Sequence, residues 1–228
     1  MHINVLTRTS NRPESFSYCR KSVVSQTHGD ITHIVSYDND KDLEYLNLYD
    51  DIVKVRVNTS QLVRDFADDP RRPSETPYGG DPHSPHNLYC NSLLEKVEDG
   101  WVMFLDDDDI INDSGALEKI VSYIENEDTI VYWLITLPGR EICGLRTFAQ
   151  EAPVLYDIGS PCFLFHSKWK HNSWWDEWKC SDFRFVDRLH KVIPNKEWVP
   201  ESFVQVGGYG LGRRQDASVD QSDWKRRI

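Results

Sequence analysis

Apolar and polar residues alternate in blocks along the first half of the chain, and the blocks have the lengths of strands and helices. Ile3 to Thr7, Ile31 to Val35 and Ile52 to Val57 are short apolar runs that predict strands. Between the first two, apolar residues from Glu14 to Gln26 recur at helical spacing, and a short helix is expected around Leu43 to Leu48. Strand, helix and strand in close succession predict right-handed βαβ units and a parallel sheet.

An acidic run, Asp106 to Asp109, directly follows the apolar stretch Trp101 to Leu105. Five bulky apolar residues in a row indicate a strand buried on both faces of a parallel sheet. The carboxylates then lie at the carboxyl end of the strand, where open α/β sheets bind ligands. Because adjacent carboxylates repel one another, we expect a hard cation, Mn²⁺ or Mg²⁺, between Asp106 and Asp108. A solvated acidic loop is the alternative.

The proline-rich stretch Asn58 to Pro85 interrupts this pattern. We expect little regular structure there beyond a turn of helix near Leu62 to Phe66, and a long loop of this kind is typically a functional lid or disordered. Helical spacing returns from His86 to Val97, directly before the acid-tipped strand. After that strand, Ser114 is the predicted N-cap of a helix that ends near Ile124.

The second half of the chain has more strand-like segments and therefore predicts a mixed sheet. Asp182 to His190 is the predicted helix of this half. The glycine-rich stretch Gly207 to Arg214 is interpreted as a flexible loop whose arginines could close over a diphosphate, and Gln215 to Ile228 as a loose tail. The predicted strands are Thr129 to Leu137, Gly144 to Phe148, Cys162 to Phe165, a short one near Trp198, and Phe203 to Val206.

Composition narrows the possible partners of the protein. Hydrophobic residues make up 39% of the 228 residues and aromatic residues 12%, which indicates a globular domain. The net charge of −11 argues against nucleic acid or an anionic membrane as a partner, because phosphate neutralisation requires excess Lys and Arg. No stretch approaches the apolar length of a transmembrane segment, and the five scattered cysteines predict reduced thiols. We therefore expect a cytoplasmic protein.

Taken together, these motifs resemble the GT-A glycosyltransferases, most closely the family 2 type, over roughly residues 1 to 190. The first strand and its Arg-Thr-Ser-Asn-Arg-Pro loop are similar to the opening of that family. Asp106-Asp107-Asp108 resembles its D-x-D signature. Its F-D-E, E-D and R-L succession is matched by Trp175-Asp176-Glu177, Ser181-Asp182 and Arg188-Leu189.

The resemblance implies one α/β domain of the GT-A type over residues 1–228. Residues 1 to about 110 would form a Rossmann-like, mostly parallel half that binds the nucleotide-sugar, and about 111 to 228 a mixed-sheet acceptor half with a C-terminal tail. The donor would be a nucleotide-sugar, with a UDP-sugar as the leading expectation, and the acceptor a carbohydrate or glycoconjugate. By the same resemblance, Asp182 is the catalytic base, Asp106 and Asp108 hold Mn²⁺ or Mg²⁺, and the donor contacts are Thr7, Arg8, Arg12, Asp38, Asn91, Asp106 and Asp107.

Several alternatives stay open at the level of sequence. The chain departs from the family pattern where Ser181 replaces Glu and where Tyr37 to Asp40 replaces Asp-Asp-Gly-Ser. Asp182 has a helix N-cap role as its alternative, with Asp176 and Glu177 as the next candidates for the base. A retaining exostosin-like transferase and a non-catalytic nucleotide-sugar or glycan-binding module are the rival functions. The cluster Trp169, Trp174, Trp175 and Trp178 is either core or an acceptor-sugar contact.

Overall fold

A computed structural model describes residues 1–73, 83–139 and 141–207. The prolines and glycines of 74–82, and most of the predicted glycine-rich loop and tail, lie outside these residues. Within the described ranges, nine strands form one sheet. Their order across the sheet is β3 (Ile52–Arg56), β2 (Ile31–Tyr37), β1 (Ile3–Thr9), β4 (Trp101–Phe104), β8 (Phe163–His166), β6 (Thr129–Thr136), β9 (Asn195–Gln205) and β5 (Ile110–Ile111), and β7 (Ile142–Cys143) pairs with β6. The predicted α/β class, with one mostly parallel half and one mixed half, is confirmed.

The first half of the sheet is parallel. Val5 of β1 pairs with His33 of β2 on one side and with Met103 of β4 on the other, so the carboxyl ends of these strands lie at one edge. Four helices connect or follow the strands. The elements are β1 (Ile3–Thr9), α1 (Pro13–Val24), β2 (Ile31–Tyr37), α2 (Leu43–Leu46), β3 (Ile52–Arg56), α3 (Thr59–Ala67), α4 (Tyr89–Glu95) and β4 (Trp101–Phe104).

The second half is mixed, because β8 runs antiparallel to both β4 and β6 while β9 runs parallel to β6. The pairing of β9 with β6 has register shifts near Trp133 and Leu134. These shifts accommodate the eleven residues of β9 beside the eight of β6. The elements are β5 (Ile110–Ile111), α5 (Ala116–Val121), β6 (Thr129–Thr136), β7 (Ile142–Cys143), α6 (Leu145–Gln150), β8 (Phe163–His166), α7 (Ser181–Val192) and β9 (Asn195–Gln205).

The main core joins the two halves through aromatic contacts around β4. All four residues of β4 are buried. Phe104 packs edge-on against Trp175, with ring centroids 4.9 Å apart, and Trp175 stacks on Phe185 of α7 at 5.1 Å. Pairs at these distances contribute about 0.5–1.5 kcal/mol beyond the burial of their area. The end of β4 is thus held against the start of α7.

Two predicted local structures were wrong. Gly144 to Phe148 is not a strand: Gly144 has φ +108°, which a strand does not allow, and α6 begins at the next residue. The stretch after Asn58 contains the nine-residue helix α3 rather than one turn. The side chain of Asn58 caps α3 by accepting a hydrogen bond from Gln61 N at 3.0 Å, a signal that was readable in the sequence.

The helix predicted from Ser114 to Ile124 is shorter in the structure. α5 has Gly115 at its N-cap, without a side-chain capping bond, and ends at Val121. Boundaries of this kind are poorly specified by local sequence, because caps and tertiary contacts decide them. No helix in the described ranges has both the length and the apolar character needed to cross a membrane.

Gly100, which directly precedes β4, offers a test of this packing. Its φ is +96°, and an added Cβ would meet His2 O at 2.8 Å, so we expect Gly100→Ala to lower the free energy of unfolding by about 2 kcal/mol or more. Gly139→Ala has a similar φ of +86° but open space, and should cost only about 1–2 kcal/mol. Gly29→Ala is the control, because Gly29 has neither a positive φ nor a neighbour within 4 Å of the added Cβ. Urea denaturation of the three variants measures the loss of unfolding free energy in each. Equal losses for Gly100→Ala and Gly139→Ala would contradict the predicted clash with His2.

Candidate active site

A cavity of about 650 Å³ opens at the carboxyl ends of β1, β2 and β4. Open α/β sheets bind ligands at this edge because the loops that leave the strands diverge there. Its wall is formed by residues that follow the strands and begin the helices of the first half. They are Arg8 to Arg12 at the end of β1 and in the first loop, Asp38 and Asn39 after β2, Thr59 at the start of α3, Pro85, His86 and Tyr89 at the start of α4, and Asp106 to Asp108 after β4.

Asp106 is bound at both oxygens by Arg8. The guanidinium donates from Nε to Oδ1 at 2.8 Å and from Nη2 to Oδ2 at 2.5 Å, and its Nη1 donates to Asn87 Oδ1 at 2.9 Å. Burial opposes ionisation of Asp106, but Arg8 outweighs burial, so the pKa of Asp106 is lowered. Arg8 also lies over the Trp175 ring at 5.7 Å, which fixes the plane of the guanidinium.

Asp107 is directed away from Asp106, toward the first loop. Its two oxygens accept hydrogen bonds from Thr9 Oγ1 and Arg12 Nη1, each at 2.8 Å. Burial raises the pKa of Asp107 to about 7, an effect that Arg12 reduces and that the negative charge of Asp108 increases. Asp107 therefore anchors the loop that carries Arg12.

Asp108 is the carboxylate without hydrogen-bond donors. Its exposed fraction is 1%, and neither oxygen accepts a hydrogen bond from a described residue. Arg12 Nη1 approaches Oδ1 only to 3.6 Å. Burial and the charge of Asp106 raise the pKa of Asp108 to about 6. A buried carboxylate with both oxygens unsatisfied fits a cation ligand, since buried polar groups otherwise find partners.

Asp106 and Asp108 do not form a complete metal site by themselves. Within the described part of the chain, no group of three or more His, Cys, Asp or Glu residues is arranged to hold an ion. Mg²⁺ is usually bound by one or two carboxylates together with substrate phosphates and waters, so a two-carboxylate site at the wall of a ligand cavity matches that chemistry.

Asp38 stands across the cavity at the end of β2. Ser10 Oγ donates to its Oδ1 at 2.9 Å and Tyr89 OH donates to its Oδ2 at 2.7 Å. Tyr89 in turn bonds Thr59 at the start of α3. This chain of contacts fixes the orientation of Asp38 and connects it to three separate segments.

Asp182 lies half-buried in the first turn of α7, and the N-cap position belongs to Cys180 instead. Its Oδ1 accepts the backbone N–H of Phe183 at 2.8 Å. Burial raises its pKa, Arg8 lowers it and Asp106 raises it, so Asp182 is within electrostatic range of the acid run. Asp182 is not among the residues of the cavity wall, and its link to the cavity is this coupling to Arg8 and Asp106. A carboxylate with a raised pKa in such a position is a candidate proton acceptor.

The two other acids of this region are fully buried in ion pairs. Asp176 accepts hydrogen bonds from Arg184 Nε at 2.7 Å and Nη2 at 2.6 Å. Glu177 accepts from Arg72 Nε at 2.8 Å. Both acids have an exposed fraction of 0%. These ion pairs hold the loop before α7 that contains Trp174, Trp175 and Trp178, here called the aromatic loop. Breaking either buried pair would be costly, because it would leave an uncompensated charge.

Two expected donor contacts, Thr7 and Asn91, are not among the residues of the cavity wall. Thr7 is fully buried, donates to Leu105 O at 2.7 Å and bonds His33 Nε2 at 2.8 Å. Asn91 Nδ2 donates to Trp175 O and its Oδ1 accepts from Trp175 N, each at 2.9 Å. They position the strand end and the aromatic loop.

The roles of Asn87 and Tyr89 were not predicted from the sequence. Asn87 bonds Arg8 and also donates from Nδ2 to Trp178 O at 2.9 Å, so it joins the acid run to the aromatic loop. Tyr89 orients Asp38. Both residues are in the predicted helix before β4, but the face they occupy becomes visible only when that helix is packed on the sheet. Trp175, which was left open between two roles, is core at 1% exposed.

No protein-family model and no curated protein matches the sequence. Solved structures are similar in fold. Residues 1–349 of TarS from S. aureus have a TM-score of 0.64 at 16% identity, over 92% of this chain and 61% of the solved one. The complex of that fragment with UDP-GlcNAc has a TM-score of 0.63 at 17% identity, over 99% and 64%.

The mannosyltransferase PcManGT from Pyrobaculum calidifontis, solved with GDP-Man and Mn²⁺, has a TM-score of 0.60 at 11% identity, over 92% of this chain and 59% of the solved one. The chain thus spans about three fifths of the length of these structures. The shared architecture and the position of the cavity agree with the motifs of the sequence. The chain has a GT-A-like glycosyltransferase fold.

Proposed function

We propose that the protein transfers a sugar from a nucleoside-diphosphate sugar to a carbohydrate hydroxyl, with inversion at the anomeric carbon. The observation that carries this proposal is the pair of unsatisfied oxygens on buried Asp108, in the wall of a cavity at the carboxyl edge of the sheet. Solved structures with this fold hold UDP-GlcNAc or GDP-Man with Mn²⁺, which supports the same class of ligand here.

The charge of the cavity wall supports a diphosphate bound together with a cation. Asp38 and the first three residues of the acidic run, Asp106 to Asp108, contribute four carboxylates, and Arg8 and Arg12 contribute two guanidiniums. Their sum is negative when all are ionised, so a diphosphate alone would be repelled. A divalent cation reverses this balance, which is why we include a metal requirement in the proposal.

Asp106 and Asp108 would hold Mn²⁺ or Mg²⁺, and the diphosphate would complete the coordination. Bound there, the ion would neutralise the charge that develops on the leaving diphosphate. Arg12, which lies between Asp107 and Asp108, would stay beside the same phosphates as a fixed positive charge. Arg8 would keep Asp106 ionised and oriented.

Asp182 would accept the proton of the acceptor hydroxyl. As it loses this proton to Asp182, the acceptor oxygen attacks the anomeric carbon on the face opposite the diphosphate. The bond from that carbon to the diphosphate oxygen breaks, and the configuration of the anomeric carbon inverts. Its neighbours Asp176 and Glu177 are unsuited to this role because both are fully buried and ion-paired. Asp38, oriented by Ser10 and Tyr89, would contact the nucleoside, with a UDP-sugar as the first donor to test.

The first prediction separates binding from chemistry. Asp182→Asn keeps the shape of the side chain but removes the proton acceptor, so transfer should fall by about 10² or more while donor affinity stays the same. Asp187→Asn, on the same helix and paired with surface Lys191, is the matched control and should keep full activity. Transfer is measured with UDP-, GDP- and dTDP-sugars. Near-normal transfer by Asp182→Asn would place the base elsewhere, and NMR of a product with retained anomeric configuration would exclude inversion.

The second prediction concerns the metal. Asp108→Asn should weaken donor binding and turnover together, by about tenfold or more, because it removes one charged ligand of the ion. Asp113→Asn is the control, since the Asp113 side chain is exposed and accepts a hydrogen bond from Gly115 N at 2.8 Å, which an amide oxygen can also accept. Calorimetric titration of UDP with Mn²⁺, with Mg²⁺ and with EDTA tests the requirement directly. Equal affinity in EDTA would contradict the metal site.

A further inference from the structure

Tyr156 is an exposed aromatic residue held in an unusual backbone conformation. Its exposed fraction is 60% and its φ is +63°. It occupies the third position of a turn that Asp157 N closes onto Val154 O at 3.0 Å. Turns with positive φ at this position usually have Gly or Asn there, because a side chain strains the backbone. A large ring at such a position points to a function.

The turn that carries Tyr156 is fixed to the body of the protein by Thr147, which is 2% exposed. Ala152 N donates to Thr147 O at 3.2 Å and Val154 N donates to Thr147 Oγ1 at 3.2 Å. Thr147 N in turn donates to Asp157 Oδ2 at 2.7 Å. These bonds bracket Tyr156 on both sides, so the ring is presented by an ordered loop.

Two contacts connect the segment that carries Tyr156 with the segment that carries Asp182. Gly159, three residues after Tyr156, lies against this acid: a Cβ added to Gly159 would be 4.0 Å from Asp182 Oδ2. On the other side, Lys179 Nζ lies over the Tyr156 ring, 5.7 Å from its centroid, and Lys179 precedes Asp182 by three residues. Neither Tyr156 nor Lys179 belongs to the wall of the nucleotide cavity.

Other aromatic residues near the site offer less ring surface. Trp175 is 1% exposed and belongs to the core. Trp174 is covered by Arg188, 3.7 Å from its ring centroid, and is approached by Arg71 at 5.8 Å. Tyr156 therefore combines an exposed ring with a loop that reaches the proposed base at Gly159.

We propose that Tyr156 is the stacking platform of an acceptor subsite, on which the CH face of a pyranose ring lies while one of its hydroxyls reaches Asp182. Aromatic rings bind sugars in this way because the apolar CH face of the sugar packs on the ring. Lys179 supports the ring by a cation–π contact and supplies donors for sugar oxygens at its edge. This inference rests on the proposed function, since it assigns the acceptor of that reaction.

The test measures binding of acceptor probes without catalysis. Methyl glycosides of glucose, galactose, mannose and N-acetylglucosamine, with glycerol as an acyclic reference, are titrated by saturation-transfer NMR in the presence of UDP and Mg²⁺. Tyr156→Asn removes the ring but suits the positive φ, so its melting temperature should not fall. Binding of the preferred methyl glycoside should weaken about three- to tenfold, the scale of one aromatic contact.

Two further variants make the readout specific. Tyr156→Phe keeps the ring and should bind the methyl glycoside within about twofold of wild type, on the same aromatic-contact argument. Leu48→Ala removes an apolar side chain that is 77% exposed in the first half of the chain, and should change nothing. An acyclic probe has no ring face to stack, so the glycerol signal should be the same in all variants.

The proposal is overturned if wild type binds none of the four methyl glycosides, or if Tyr156→Asn binds them as tightly as wild type does. It is also overturned if glycerol and the methyl glycosides lose binding equally. Failure of the proposed function has a different signature, because UDP with Mg²⁺ would then not bind, whatever happens to the methyl glycosides.

Discussion

The accumulation of negative charge at the end of a buried strand is the constraint on which the site depends. β4 is buried throughout and delivers Asp106 to Asp109 to the edge of the sheet, where all but Asp106 are almost completely removed from water. Arg8 and Arg12 compensate part of this charge through hydrogen-bonded ion pairs. Asp108 differs from the other members of the run because neither of its oxygens accepts a hydrogen bond from a described residue, and we propose that a cation compensates its charge.

A second set of buried ion pairs fixes the opposite side of the site. Asp176 with Arg184, and Glu177 with Arg72, hold the loop that contains Trp175. Trp175 also touches Phe104 at the end of β4 and lies under Arg8, so the loop, the strand and the acid run form one contiguous structure. A change in any of these contacts would alter the relative position of the acid run and α7, where Asp182 is found. Precise placement of catalytic groups requires such support.

The carboxylates of this protein show that burial and partners, rather than residue type, decide the role of an acid. Asp106 is ionised and oriented by Arg8, Asp107 anchors a loop, and Asp176 stabilises the aromatic loop. Asp182 differs from these because it is half-buried and accepts a hydrogen bond from the neighbouring backbone N–H of Phe183. For this reason we propose Asp182, rather than the ion-paired acids, as the proton acceptor.

The sequence by itself determined the βαβ order of the first half, the mixed second half and the acid-tipped strand, because hydrophobic periodicity and charge repulsion are local properties. It did not determine that a helix follows Gly144, since a positive φ is set by the packing around it. Nor could it separate Trp175 as core from Tyr156 as exposed ring, or show that Asn91 bonds the backbone of Trp175. Burial and facing direction depend on contacts between segments far apart in the chain, and only the tertiary structure decides them.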